Sequence, residues 1–395
     1  MNGLLLSAAR VLTGPAGECV EDGAVLVEDG VLRAVGPRRE VERLAGPDTP
    51  RRDHPEGTIL PGLIDAHVHL AFDSSADPLT AVARADPAKL LLGMAGRAQR
   101  LLSAGVTTAR DLGDRDGLSV VLRDAIAAGS LAGPRILAAT TPLTCPGGHC
   151  GFLGGEAGTD AEIRGQVERA AAAGADLVKV MASGGALTPG GPRMWEPQFT
   201  AAQLRLIVDH AAEHGLGVAA HAHGTDTIAH CVEAGVRTLE HCSWRVESGL
   251  RYDHDLAREI ARRRIGVCRC VSGDWRLFLT QLGPNADALV DSILRMREAG
   301  VLFIAGTDAG VPGARFDDYA GMLEFFAELG FGNAEILDMA TVNAAEALGL
   351  GDTGRLAAGL RADVLVVRGD PLAELAALRE VSLVLTAGRA YVPAP

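Results

Sequence analysis

The 395-residue sequence has few aromatic residues, no long apolar run and no Cys-x-x-Cys pair. Aromatic residues make up 4% of the chain. No stretch reaches the roughly 20 apolar residues that a membrane helix requires. The first ten residues also lack the basic flank and long apolar segment of a signal peptide. We therefore expect a soluble, cytoplasmic protein with no membrane partner.

The cysteine content argues against a disulfide framework. The seven cysteines are Cys19, Cys145, Cys150, Cys231, Cys242, Cys268 and Cys270. An odd number without paired spacing indicates reduced thiols. Cys145 and Cys150 flank His149 in a Gly-rich loop, where a soft-metal site or a nucleophile is an alternative. We interpret both as small apolar side chains, because free cysteines usually pack in that way.

Positive charge is also scarce. The chain has 37 basic and 50 acidic residues, which gives a formal net charge of −13 at pH 7. Such a charge repels a phosphate backbone, so we expect no nucleic-acid partner. Hydrophobic residues make up 48% of the chain, which is enough to form a packed core and excludes disordered and collagen-like classes. The length indicates one or two domains.

Both ends of the chain carry β patterns. Apolar and polar residues alternate over residues 24–28 and 31–35, on either side of Asp29-Gly30, which predicts a β-hairpin. Apolar segments at residues 363–367 and 381–385 predict further strands. We expect the two termini to meet in a small β-sandwich domain formed by residues 1–56 and 350–395. The composition changes near Gly57, where this domain should end.

The region between the termini predicts a parallel α/β fold. From residue 57 onward, short runs rich in Val and Ile alternate with Ala-rich segments of helical periodicity. The strand candidates are residues 63–70, 106–112, 135–139, 176–182, 217–223, 238–242, 265–271 and 302–308. The helix candidates include residues 87–103, 161–173, 201–214 and 286–299. Eight such units predict a (β/α)8 TIM barrel over residues 57–349, with functional groups at the C-terminal ends of its strands.

The first and fourth of these strands carry residues that packing alone explains poorly. His67 and His69 end the first strand, and because strand side chains alternate between faces, both imidazoles should point into the barrel mouth. Lys179 stands within an apolar strand, where a protonated ammonium is costly to bury. Beside a pair of divalent ions, a neutral lysine amine can add CO2 and become an anionic carbamate that bridges the ions. Alternatively, Lys179 is a snorkelling or ion-paired residue.

Three later strands also end in residues that can bind metal. His221 ends the fifth strand, His241 the sixth and Asp308 the eighth. Singly, each residue could belong to the core, but together with the preceding three they predict a site for two divalent ions, with zinc favoured by the ligand types. A hydroxide between the ions would attack a substrate carbonyl, and Asp308 would take its proton and return it to the leaving group. The pattern thus predicts metal-assisted hydrolysis.

Residues 61–69, PGLIDAHVH, resemble the opening metal motif of the amidohydrolase superfamily. Further matching segments are residues 105–111, Lys179, His221, residues 240–241, residues 306–308, residues 344–349 and residues 362–365. Within that superfamily, the chain most resembles the imidazolonepropionase-like branch that includes metal-dependent Xaa-Pro dipeptidases. The resemblance extends over nearly the whole chain.

The resemblance implies a ligand set and a bridging residue. It implies that His67, His69 and Asp308 hold one ion, that His221 and His241 hold the other, and that carboxylated Lys179 bridges them. The branch also includes homo-oligomers, which makes a homo-oligomer our expectation here.

The resemblance also suggests residues that contact the substrate. The loop at residues 146–149 is similar to a Gly-Gly-His segment that, in those dipeptidases, places a histidine over the substrate. We therefore expect His149 to orient the substrate or to stabilise its oxyanion. His223 and Asp226 are further candidates, either for contact with the substrate or as outer partners that orient the metal-binding residues. The chain departs from the pattern at Cys242, where those sequences commonly carry glycine.

The function predicted from these residues is hydrolysis of an amide bond by a binuclear metal enzyme, with an Xaa-Pro dipeptide or another small molecule as substrate. Alternatives are hydrolysis of an N-acyl amino acid with a bulky acyl group, of a cyclic amide or of a lactone. A deaminase is disfavoured, because neither His221 nor His241 is shortly followed by a general-acid glutamate. A homologue that has lost its metals and serves as a structural or binding protein is an alternative of another class.

Overall fold

The computed structural model describes residues 3–393. The strands are β1 (Gly3–Leu12), β2 (Cys19–Glu28), β3 (Val31–Pro37), β4 (Arg51–Pro61), β5 (Leu63–Val68), β6 (Val106–Asp111), β7 (Arg135–Ala138), β8 (Leu177–Met181), β9 (Gly217–Gly224), β10 (Thr238–Val246), β11 (Gly249–Leu250), β12 (Gly266–Cys268), β13 (Phe303–Ile304), β14 (Val364–Arg368), β15 (Val381–Thr386) and β16 (Arg389–Tyr391). The helices are α1 (Arg38–Glu42), α2 (Pro78–Arg84), α3 (Pro87–Ser103), α4 (Leu118–Ala127), α5 (Asp160–Ala172), α6 (Ala201–Glu213), α7 (Thr225–Ala234), α8 (His254–Arg262), α9 (Trp275–Leu282), α10 (Asn285–Glu298), α11 (Tyr319–Glu328), α12 (Asn333–Met339) and α13 (Val342–Leu348).

The two terminal segments form one seven-stranded sheet, in the order β16-β15-β14-β4-β1-β2-β3. The predicted hairpin is β2 and β3, which pair antiparallel. Asp29 and Gly30 have φ values of 50° and 85°, as a two-residue turn of the primed type requires. The termini therefore meet in one sheet, as expected. The second layer of a β-sandwich stays a prediction, as do the domain boundaries, and the predicted division at residue 57 lies within β4.

The predicted parallel α/β fold is confirmed. Strands β5, β6 and β7 form one parallel sheet, and a second follows the order β13-β12-β10-β9-β8, with β11 antiparallel to β10. Each of the eight strand candidates overlaps an observed strand, although β12 and β13 are only 3 and 2 residues long and β10 extends four residues beyond its prediction. The helix over residues 87–103 is α3, and α5, α6 and α10 lie within one residue of prediction.

Backbone hydrogen bonds join the two parallel sheets. Ala66 N donates to Ala305 O at 2.9 Å beside β5, and Leu143 N donates to Lys179 O at 2.8 Å beside β8. These bonds bring the C-terminal ends of β5 and β8 to the same face as those of the neighbouring strands. Closure into an eight-stranded barrel stays a prediction.

Helix caps and apolar faces explain why the intervening segments are helical. Thr159 and Glu162 form a reciprocal capping box at the start of α5, and Thr200 and Gln203 form another at the start of α6. On α3, the residues that face the core recur at helical spacing; they are Leu90, Met94, Ala98, Leu101 and Leu102. None of the described helices combines the length and apolar character needed to cross a membrane.

Candidate active site

The end of β5 and the segment after β13 bring together His67, His69 and Asp308. The Nε2 atoms of the two histidines are 3.2 Å apart, and they lie 3.3 Å and 3.4 Å from Asp308 Oδ1. Asp308 N donates to His67 O at 2.8 Å, so the backbone itself fixes the spacing between the two elements. The three predicted residues therefore form one cluster with three donor atoms facing a common point.

A second cluster lies at the ends of β9 and β10. His221 and His241 have ring centroids 4.6 Å apart, and the His67 ring is 5.4 Å from that of His241, so the two clusters are neighbours. His223 belongs to the same group, stacked on His241 with ring centroids 4.5 Å apart. The sequence suggested His223 as a substrate contact or as an outer partner of the metal-binding residues, whereas the structure places it among the possible metal-binding groups themselves.

Lys179 on β8 is buried near both clusters. Its side chain is 1% exposed, and Nζ has no hydrogen-bond partner among the described residues. Burial lowers the pKa of the amine. A buried amine without a partner is costly for the fold, which indicates that another group completes its environment.

The protonation states favoured by burial suit metal binding. Burial lowers the pKa values of His69, His221 and His241 well below the ordinary value, so these three imidazoles are neutral and have a free lone pair. His67 differs, because burial acts to lower its pKa but Asp308 and Glu240 outweigh burial and raise it to about 9, so a metal ion would have to displace a proton from this ring. Burial raises the pKa of Asp308, although His67 and Lys179 oppose this shift. Neutral imidazoles with a carboxylate are the donors that zinc and similar ions prefer. The residues present therefore fit a site for divalent ions.

Glu240 and Arg110, two charged residues behind the site, lie in sequence segments that resemble the family, but no role was predicted for them. Glu240 on β10 lies 2.9 Å from His67 Nδ1 through Oε2, and its Oε1 accepts a hydrogen bond of 2.8 Å from Arg110 Nη2. Arg110 Nε also donates to Ala66 O at 2.7 Å. Both side chains are buried within apolar strands. A charged side chain within a buried strand is the feature that identified Lys179 in the sequence. The same feature could have identified Glu240 and Arg110.

Asp65 fixes the position of the first cluster. This buried carboxylate accepts hydrogen bonds from His67 N at 3.2 Å, from Thr307 N at 3.1 Å and from Thr307 Oγ1 at 2.6 Å. Burial raises its pKa to about 6, although these hydrogen bonds act in the opposite direction. Because Thr307 precedes Asp308, the carboxylate ties both halves of the cluster together.

His149 faces the cavity from the loop after β7. Its backbone N donates to Gln198 Oε1 at 2.6 Å, and its ring centroid lies 4.7 Å from that of His221. A Cβ atom on Gly185 would come within 2.4 Å of His149 Nε2, so glycine is needed for this close approach. Burial and the charge of Lys179 lower the pKa of His149 to about 4. The ring is therefore neutral near pH 7.

Other residues singled out from the sequence have different environments. Asp226 is not at the site; it is exposed and pairs with Arg251. Burial raises the pKa of Cys145, and it raises that of Cys150 to about 12, so both remain thiols and neither is an activated nucleophile. Cys242 has φ 46°, which is the left-handed region and explains why glycine suits this position.

The clusters open into a cavity of about 520 Å³. This volume suits a small molecule or a dipeptide. Apolar side chains, among them Leu187, Met194, Leu277 and Phe278, form part of the wall. Arg245 and Arg269 also line the cavity, and neither was predicted from the sequence to belong to the site.

Comparison with known sequences finds similar proteins over most of the chain. A family model described as "Amidohydrolase family" matches residues 58–390. Ochratoxinase from Aspergillus niger is 27% identical over 408 residues, which cover 94% of this chain and 82% of the relative. Imidazolonepropionase from Paracoccus denitrificans is 26% identical over 382 residues, which cover 88% of each chain.

Solved structures share the fold. The crystal structure of A. niger ochratoxinase has a TM-score of 0.85 at 25% identity and covers 99% of this chain and 96% of that one. A prolidase complexed with N-methylphosphonate-L-proline has a TM-score of 0.85 at 27% identity and covers 99% of both chains. The parallel α/β architecture is therefore similar throughout to these hydrolase structures.

Proposed function

The chain belongs to the amidohydrolase family, and we propose that it is a binuclear metal-dependent hydrolase of carbon–nitrogen amide bonds with Xaa-Pro dipeptidase-like activity. The resemblance to this family that the sequence indicated is thereby confirmed. The observation that supports the finer proposal is the buried, unpartnered amine of Lys179 beside two histidine clusters.

The proposal assigns each metal-binding residue a place. His67, His69 and Asp308 would hold one divalent ion, and His221 and His241 would hold a second. Lys179 would join the two sites as a carbamate, formed when its neutral amine adds to CO2 and releases a proton. This assignment accounts for the unpartnered Nζ, because the new carboxylate group would meet both clusters.

The ions, which we propose to be Zn²⁺, would lower the pKa of water and polarise an amide carbonyl when bound. The protein residues perform the remaining steps. Asp308 accepts a proton from the attacking water and returns it to the leaving amine nitrogen, a role that suits a carboxylate with a raised pKa. His149 orients the substrate carbonyl from the loop after β7. Glu240 holds the ring of His67 in place through Nδ1.

A second substrate class is supported by the cavity wall. Leu277 and Phe278 on α9 line the cavity, and they are 59% and 43% exposed, which is unusual for such large apolar residues. They would suit a bulky apolar acyl group, as in an N-acyl amino acid. Cyclic amides and lactones are the remaining alternatives.

The test is hydrolysis of a substrate panel by zinc-loaded protein, with metal content measured on the same sample. The panel contains L-Xaa-L-Pro dipeptides, N-acyl amino acids, cyclic amides and lactones, and chelator-treated protein serves as the control. Cleavage of dipeptides that disappears with the metal supports the proposal. Cleavage of N-acyl amino acids alone favours the second substrate class instead of dipeptides. If protein that holds two ions cleaves no member of the panel, the proposal is contradicted. A metal content below one ion per chain favours a metal-free homologue.

A further inference from the structure

Two arginines enter the cavity beside the second histidine cluster. Arg245 lies on β10, shortly after His241, and Arg269 directly follows β12. Both line the cavity that contains the candidate metal-binding residues. A guanidinium is always charged under ordinary conditions, so this wall carries two positive charges.

Arg269 is anchored but incompletely bonded. Its side chain is 7% exposed, and Nη1 donates to His241 O and, at 2.7 Å, to Cys242 O. Its Nε is buried and has no partner among the described residues. Two backbone carbonyls hold the guanidinium beside His241, while donor capacity remains unused inside the cavity.

Arg245 is also without a counter-ion. Its Nε is buried and unpartnered, and its guanidinium forms no ion pair with any residue between 3 and 393. The acidic residues that line the cavity are Asp274 and Asp308, and neither is within ion-pair distance of Arg245 or Arg269. Burial lowers the pKa of both guanidiniums, and the charge of Arg245 acts in the same direction on Arg269.

Arg269 is buried and Arg245 is half-buried. Two desolvated cations on one cavity wall without an anion are destabilising, because desolvation and like-charge repulsion both act against them. An anionic ligand that accepts hydrogen bonds from both would remove the repulsion and use the free donors. A carboxylate matches the planar geometry of guanidinium. The positive wall is local, because the chain as a whole has a net charge of −13 and repels anions at long range.

We propose that Arg245 and Arg269 bind a free carboxylate of the substrate, close to the amide that is cleaved. This inference rests on the proposed function and narrows its substrate class. The substrates are amides that also carry a carboxylate, such as dipeptides or N-acyl amino acids, rather than neutral cyclic amides or lactones.

The test compares acids with their carboxamides, which match them in shape but lack the negative charge. The probes are a panel of free L-amino acids and N-acetyl-L-amino acids, including those of proline and phenylalanine, each with its carboxamide. Binding is measured by calorimetry on zinc-loaded protein, and kcat/KM is measured for the dipeptides that are cleaved. The variants are Arg245→Gln and Arg269→Lys, with Arg258→Gln on the exposed face of α8 as the matched control.

We expect the unmodified protein to bind at least one acid about tenfold or more tightly than its carboxamide. Arg245→Gln should remove most of that preference, Arg269→Lys should reduce it, and Arg258→Gln should leave it unchanged. Arg269→Lys keeps the positive charge but removes the planar guanidinium. It therefore tests the two-pronged contact with the carboxylate even if the neutral variant Arg245→Gln fails to fold. Acid binding as tight in Arg245→Gln as in the unmodified protein would overturn the proposal, as would the lack of preference for any acid.

The binding result is independent of the proposed function. A protein that binds acids through Arg245 but hydrolyses no panel member contradicts the hydrolase proposal and supports the carboxylate site. A protein that hydrolyses acids and carboxamides equally supports the hydrolase proposal and contradicts the carboxylate site.

Discussion

Glu240 Oε2 lies 2.9 Å from Nδ1 of His67, and the opposite ring nitrogen of that histidine lies 3.3 Å from Asp308. Arg110 and His67 keep the pKa of Glu240 below its ordinary value, although burial acts to raise it. The carboxylate therefore remains charged and accepts a hydrogen bond from Nδ1, so Nε2 is the ring nitrogen of His67 that can bind a metal ion. One buried ion pair thus sets the tautomer of a candidate metal-binding residue.

Glu240→Gln is expected to lower metal affinity or activity by about 10- to 100-fold, because the group that orients His67 loses its charge. The variant should also be destabilised by about 3–5 kcal/mol, because Arg110 is left as an unpaired buried cation. Metal titration and urea unfolding measure the two effects. Unchanged metal affinity would show that Glu240 serves the fold alone.

Lys179→Met separates a functional lysine from a structural one. The buried Nζ has no partner, so its removal should leave thermal stability of the metal-free protein unchanged or higher. Metal content and activity should both fall, because the carbamate cannot form. Thermal unfolding, metal analysis and intact-mass measurement for one bound CO2 provide the readouts. Two retained ions with full activity would refute the bridging role.

Asp308→Asn should reduce turnover more than it reduces metal content. An amide keeps an oxygen donor but cannot exchange a proton, so kcat should fall by about 10²- to 10⁴-fold. Steady-state kinetics and metal analysis on the same preparation give the comparison. A normal kcat would remove Asp308 from the proton-transfer role.

Gly185→Ala should disturb the position of His149. The new Cβ atom would lie 2.4 Å from Nε2, so the ring must move. We expect loss of activity with metal content retained, since His149 belongs to neither candidate metal cluster. Gly96→Ala is the matched control, because no atom lies within 4 Å of its Cβ position on α3. That change should stabilise the protein by about 0.5–1 kcal/mol. Equal activity in both variants would contradict the role of His149.

The pair Asp111 and Asp114 should make stability fall as pH rises. Burial raises the pKa of both carboxyls, and repulsion from Asp114 adds to the shift at Asp111. A raised folded-state pKa gives stability that is fully present below the ordinary value near 3.8 and is lost as pH rises through the folded value. Relative to Asp111→Asn, the unmodified protein should therefore lose unfolding free energy between about pH 4 and 8. Urea unfolding in the presence of chelator measures this difference, and a constant difference contradicts it.

The periodicity of the chain was sufficient to predict most of its elements. The Asp29-Gly30 turn, the eight parallel strands and the caps of the long helices depend on local conformational preferences and on apolar spacing, which are legible along the chain. The strands at β12 and β13 were predicted too long. The C-terminal parts of the apolar segments 265–271 and 302–308 leave the β ladder and enter the site. Departure from a sheet depends on contacts with other segments, which local patterns do not contain.

Residue type at the strand ends likewise identified the candidate metal-binding residues from the sequence alone. A His, Lys or Asp in an apolar strand is costly to bury, so it requires a partner or a ligand. Only the tertiary structure could show that Glu240 meets His67, that Gly185 makes room for His149, and that Arg245 and Arg269 share one wall without an acid. Glu240 and His67 are 173 positions apart and Gly185 and His149 are 36 positions apart, while the third relationship depends on the absence of a partner. A side chain's partners, and therefore its charge and its unused hydrogen bonds, are set by which segments fold against it.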